Sequence, residues 1–141
     1  MKLEDIKKIV VVGAGDMGHG IAEVALLAGY KVAMRDIEQR FVDKGLQRIG
    51  ESLARLARKK RVSEADRKEM MGRIKTFVDL GEAVKDADFV IEVVPEVMDI
   101  KKRVFRELDK LAPKDTVLAS NSSSMSITEI ASVTSRPRKR S

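Results

Sequence analysis

One stretch constrains the fold more than any other: "IKKIVVVGAGDMGHGIAEVALLAG", from Ile6 to Gly29. Ile6 to Val12 is rich in β-branched residues and runs into glycine, the pattern of a strand buried on both faces of a parallel sheet. From Met17 to Ala28 the apolar residues Met17, Ile21, Ala22, Ala25, Leu26 and Ala28 recur at helical spacing, and Gly29 closes the element. Strand, glycine turn and helix in that order open a βαβ unit, which commits the chain to a parallel sheet with helical crossovers.

The rest of the chain continues this alternation. Lys31 to Arg35 reads as a second strand, ending at Asp36. A helical pattern then runs from Glu38 to about Arg61, and Ser63 with Asp66 marks the N-cap of another helix reaching Ile74. This predicts a helical hairpin between strands, one that could project from the body. Lys75 to Val78 is expected as the third strand, Gly81 to Asp86 as a short helix, and Asp88 to Val94 as a strongly apolar fourth strand stopped by Pro95. Met98 to Leu111 has a helical apolar flank, Pro113 marks its exit, and Thr116 to Ala119 is the fifth strand. The expected architecture is α/β: a Rossmann-type doubly wound parallel sheet in order 3-2-1-4-5, with a helical hairpin after strand 2.

At 141 residues the chain matches one domain, able to bury about two-thirds of its unfolded surface around one core. It has no cysteine, which excludes disulfides, thiolate catalysis and cysteine-ligated metals, and fits a reducing compartment such as the cytoplasm. The apolar run at Ile9 to Val12 is too short for a signal peptide or a membrane span. The net charge of +6 raises nucleic acid as a partner. Of 28 basic residues, Arg136, Arg138, Lys139 and Arg140 sit in the tail, and the remaining 24 face 22 acidic ones. The expectation is therefore a nearly neutral domain over 1–135 and a solvated basic tail over 136–141, with no specific nucleic-acid site, no membrane association and no metal.

Gly13-Ala14-Gly15-Asp16-Met17-Gly18 fits G-x-G-x-x-G in the context that gives the string meaning, after a strand and opening a helix. The first glycine permits the turn, the second lets backbone approach a pyrophosphate, and the third lets helix and strand pack closely. Asp36 stands about twenty residues on, where a carboxylate accepts hydrogen bonds from an adenosine ribose. The ligand these features imply is NAD. The neighbouring Arg35 leaves a 2′-phosphate open as an alternative, although strand alternation points its side chain away from Asp36. A tight βα turn with a capping aspartate is the purely structural alternative.

At this point the sequence resembles the NAD-binding domain of the 3-hydroxyacyl-CoA dehydrogenase family. The likeness runs from about Ile6 to Val133 and is carried by "GAGDMGHGIAEVALLAGYKVAMRD", "DADFVIEVVPEVMDIKKRVFRELD" and "LASNSSSMSITEIA". It implies that Gly13 to Gly18 hold the pyrophosphate and Asp36 the ribose, that Glu96, Lys101 and Asn121 contact the cofactor, and that Ser123 hydrogen-bonds the oxygen of the reacting carbon. It also aligns Ser52 and Lys59 with coenzyme A contacts. Arg55, Arg58, Lys59, Lys60 and Arg61 suit a ligand bearing several phosphates, and equally a solvated helix face.

The reaction so implied is oxidation of a 3-hydroxyacyl thioester to the 3-ketone, of the β-oxidation type, with hydride passing to the nicotinamide. It needs a base for the hydroxyl proton. In the family that base is a histidine in an H-F-F-N-P segment on the next strand, whereas this chain's only histidine is His19, at the pyrophosphate end of the site. The expectation is a cofactor half that stops before the catalytic histidine and before the family's C-terminal helical domain, inactive by itself. Its outermost strand edge predicts self-association or marginal stability. The alternatives are a non-catalytic NAD-binding module, a subunit completed by a partner chain, and nucleic-acid binding through the tail.

Overall fold

In the computed structural model of the chain, residues 5–94 and 97–120 are described. Among the described residues five strands and five helices follow one another: β1 (Lys8–Val12), α1 (Asp16–Leu27), β2 (Lys31–Arg35), α2 (Gln39–Arg58), α3 (Glu64–Arg73), β3 (Ile74–Phe77), α4 (Leu80–Val84), β4 (Phe89–Glu92), α5 (Met98–Leu111) and β5 (Val117–Ser120). All strand pairs are parallel and the order is β3-β2-β1-β4-β5, as the sequence predicts. The chain thus forms a doubly wound sheet whose order reverses beside β1, where such folds hold their ligands.

Strand periodicity sorts the core into two layers. Val11, Val32 and Met34 face α1, α2 and α3, packing on Ala22, Leu26, Val42, Ile49, Leu53 and Met70. Val10, Val12, Ala33 and Val90 face the other way, onto Leu80, Ala83, Val84, Val104, Phe105 and Leu108 of α4 and α5. The root of the hairpin is packed on the body. Val42, Gly45, Ile49 and Leu53 of α2 are buried at helical spacing, and α2 packs on α1, α3 and β3.

Element limits differ from the sequence expectation by one to a few residues, for identifiable reasons. Ile74 begins β3 instead of ending α3, because it pairs in register with Val32 and is only 7% exposed. Helix α4 begins at Leu80 because the Asp79 carboxylate accepts from the Glu82 amide at 2.8 Å, capping it. The predicted cap of α3 is present, with Ser63 Oγ accepting from the Asp66 amide at 3.0 Å.

Candidate functional site

The C-terminal ends of β1, β2 and β4 open into a cleft of about 720 Å³, within the roughly 300–1,000 Å³ typical of small-ligand sites. Its first wall is the β1–α1 turn. Gly13 adopts φ +121°, a conformation that L side chains rarely enter, and donates its amide to the Arg35 carbonyl at 2.7 Å. A Cβ on Gly18 would lie 1.8 Å from the Gly13 carbonyl oxygen, so only glycine allows α1 to start this close to β1. Gly15 is the N-cap and supplies no side-chain cap, and a Cβ there would meet nothing within 4 Å. The start of α1 therefore presents bare backbone to the cleft, the arrangement that receives phosphate oxygens.

Asp36 follows the last ladder residue of β2 and locks onto this turn. One carboxylate oxygen accepts from the Ala14 amide at 2.9 Å and the other from the Ile37 amide at 2.7 Å. Bare amides, a carboxylate tied to the same loop and the cleft volume together fit a dinucleotide. Arg35 also borders this cleft, but its side chain leaves β2 on the same face as Ala33, toward α4, as strand alternation predicts. Its Nε donates to the Val78 carbonyl at 2.8 Å.

The structure gathers Gly13, Ala14, Gly15, Asp16, Met17, Gly18, Asp36 and Lys101 around one opening. Ser52 and Lys59 lie elsewhere. Ser52 Oγ donates to a Glu23 carboxylate oxygen at 2.7 Å, between α2 and α1, and Lys59 is the exposed C-cap of α2. Glu96, Asn121 and Ser123, with the basic tail, lie outside the described residues. His19 sits in the first turn of α1, with Nδ1 2.8 Å from the Gly15 carbonyl oxygen, a spacing that places a proton on that nitrogen.

Several residues at the site escape a reading of the sequence. Lys44 and Arg48, one turn apart on α2, line the cleft, and Arg48 pairs with Asp16. The hydrogen bond from Arg48 holds the Asp16 carboxyl below its ordinary range. Gly45 lets α2 approach the turn: a Cβ there would stand 2.8 Å from the Ala14 carbonyl oxygen. Their one signal in the sequence is position: Lys44 and Arg48 each stand one residue before a buried position of α2, and Gly45 lies within the buried stripe.

The far wall holds a buried charge pair. Glu92 ends β4, with Val12 and Ser120 as its register neighbours in β1 and β5. One carboxylate oxygen accepts from Lys101 Nζ at 2.8 Å and from the Val94 amide at 2.6 Å, and the other accepts from Ser120 Oγ at 2.8 Å. Lys101 Nζ also donates to the Val94 carbonyl at 3.2 Å. Glu92 and Lys101 are 0% and 1% exposed, and no buried side-chain polar atom among the described residues lacks a partner. An acidic residue closing an otherwise apolar strand is the signal that could have found it.

Comparison with known proteins agrees with this geometry. The model of the 3-hydroxyacyl-CoA dehydrogenase NAD binding domain matches residues 8–140. A probable 3-hydroxybutyryl-CoA dehydrogenase of Bacillus subtilis is 45% identical over 135 residues, spanning 96% of this chain and 47% of the relative. The 3-hydroxybutyryl-CoA dehydrogenase of Clostridioides difficile is 40% identical, spanning 94% of this chain and 47% of its own length. The crystal structure of (S)-3-hydroxybutyryl-CoA dehydrogenase from Ralstonia eutropha superposes with a TM-score of 0.88 at 39% identity, covering 94% of this chain and 46% of that one. The chain thus spans just under half the length of the curated relatives it matches.

Proposed function

The chain belongs to the 3-hydroxyacyl-CoA dehydrogenase family as its NAD-binding module, and from that premise we propose that Gly13 to Gly18 hold the cofactor's pyrophosphate and Asp36 its adenosine ribose. The observation that carries this reading is the 2.9 Å hydrogen bond from the Ala14 amide to Asp36, which makes phosphate turn and ribose acceptor one unit. The uncapped start of α1 favours negative charge, and the Asp36 carboxylate would repel a 2′-phosphate.

In this reading Lys101, Glu96 and Asn121 complete the cofactor contacts, and Ser123 donates to the oxygen of the reacting carbon. Bound NAD supplies the hydride acceptor. The substrate is a 3-hydroxyacyl-CoA, oxidised to the 3-ketoacyl-CoA, and Ser52 and Lys59 meet its coenzyme A portion. Ser52 would exchange its bond to Glu23 to do so. We assign 1–135 to the NAD-binding domain, 136–141 to a basic tail, and the protein to the cytoplasm. Among the described residues no helix is long and apolar enough to cross a membrane.

A second reading concerns turnover, and His19 favours it. It is the only histidine in the chain, and its Nδ1 is engaged with the Gly15 carbonyl at the phosphate end. The 141-residue chain by itself then binds NAD but oxidises 3-hydroxyacyl-CoA negligibly, acting as a non-catalytic NAD-binding module or as a subunit completed by a partner chain.

Calorimetric titration with NAD+, NADP+ and an acyl-CoA tests both readings. NAD+ is expected to bind, NADP+ to bind at least about tenfold more weakly, and Asp36→Ala to lower NAD+ affinity about ten- to hundredfold. NADP+ binding as tight as NAD+, or an Asp36→Ala chain with undiminished affinity, overturns the cofactor assignment. Turnover of 3-hydroxybutyryl-CoA at the rate of a complete family member overturns the second reading.

A further inference from the structure

The Glu92–Lys101 pair raises a question of energetics. Removing two charges from water costs more than their attraction usually returns, so a fully buried pair is a poor way to stabilise a fold. An apolar pair of similar volume would serve the core of β4 and α5 at least as well. The network also has a location that stability alone does not require. It sits where β1, β4 and β5 end together, and Lys101 lines the cleft. Through its two carboxylate oxygens Glu92 ties four parts of the wall to one point: the end of β4, the residue Val94 beyond it, the first turns of α5, and Ser120 at the end of β5. The chain leaves Ser120 directly into Asn121, Ser122 and Ser123.

We infer that Glu92 is a positioning residue of the cofactor cleft. Its carboxylate fixes the Lys101 ammonium at the wall and anchors the point from which the serine-rich segment departs, so that both are set before the cofactor arrives. Groups behind a binding site commonly act this way, orienting the residues that touch the ligand. The inference rests on the NAD reading above.

Titration of NAD+ into the wild-type chain, Glu92→Gln, Glu92→Asp and Ser120→Ala tests it, each at a temperature where circular dichroism reports a folded protein. Glu92→Gln, which keeps Lys101 but removes the buried negative charge beside it, is expected to bind NAD+ at least about tenfold more weakly. Ser120→Ala, which removes the hydrogen bond to Glu92 and no charge, is expected to bind about two- to tenfold more weakly, with a smaller fall in Tm than Glu92→Gln. Glu92→Asp retains the charge and is expected to recover part of the affinity lost in Glu92→Gln. A role confined to stability gives the opposite split, lower Tm with unchanged affinity, and that result overturns the proposal. Should Glu92→Gln fail to fold, Ser120→Ala decides, because affinity equal to wild type excludes positioning through β5. A wild-type chain that does not bind NAD+ defeats the cofactor reading and this inference together. Wild-type binding that no variant alters defeats this inference alone.

Discussion

The cleft has two walls, one at the start of α1 and one at the end of β4, built by opposite means. The β1–α1 turn works by having no side chains: Gly13 and Gly18 are there because the backbone needs the space. The wall at the end of β4 works through side chains: Glu92 and Lys101 are held there by hydrogen bonds to Val94 and Ser120. The difference lies in what each tolerates. A steric arrangement fails at the first added carbon, whereas an electrostatic one fails when its charges are unbalanced and not when both are removed.

The largest expected effect follows from the first wall. Gly18→Ala puts a methyl group 1.8 Å from the Gly13 carbonyl oxygen, so something must shift. We expect a loss of about 3 kcal/mol or more in denaturant unfolding, together with loss of NAD+ binding. A folded, binding Gly18→Ala chain would erase the contrast. The second wall gives the next effect. Lys101→Met leaves the Glu92 carboxylate buried without its counter-charge and should cost about 3–5 kcal/mol, whereas Glu92→Leu with Lys101→Met should recover most of that stability. No comparable rescue exists for Gly18, and finding one would weaken the distinction.

Smaller changes sharpen it. Gly20 lies in the same helix as Gly18, but a Cβ there meets nothing within 4 Å. Gly20→Ala should therefore stabilise the chain by about 0.5–1 kcal/mol, measured by the same unfolding curve. The smallest effect concerns the exposed charge at the glycine turn. Asp16 has its carboxyl pKa lowered from 3.8, first by the hydrogen bond from Arg48 and then by its charge. A depressed folded value means that any stability this pair adds is present above the unfolded pKa and lost as pH falls through the folded one. Arg48→Gln should move the Asp16 titration upward toward 3.8 in a carboxyl-detected NMR experiment, with little change in Tm at neutral pH. A large Tm change would make this surface pair resemble the buried one.

How much of each wall could be read from the sequence follows from the same difference. Backbone sterics dictate residue type at fixed offsets, so Gly13, Gly15 and Gly18 can be found in the string itself, and Asp36 follows from its distance along the chain. Sheet order and the hairpin are equally legible, because apolar periodicity and caps such as Ser63 are local. Glu92 and Lys101 are nine residues apart, and Ser120 is on another strand, so nothing local announces that they meet. Lys44 and Arg48 are hidden for a similar reason, since which flank of α2 faces the cleft depends on how α2 packs on α1.

Gly45 has one more consequence. Because the α2 backbone rests against the Ala14 carbonyl, the first half of the hairpin acts as a mould for the glycine turn. Past Leu56, which still packs on the core, the hairpin reaches an exposed bend from Lys59 to Arg61, which lines none of the cleft. Residues added or removed at that bend would change the reach of the hairpin without altering the mould, so one element combines a fixed root with an adjustable tip.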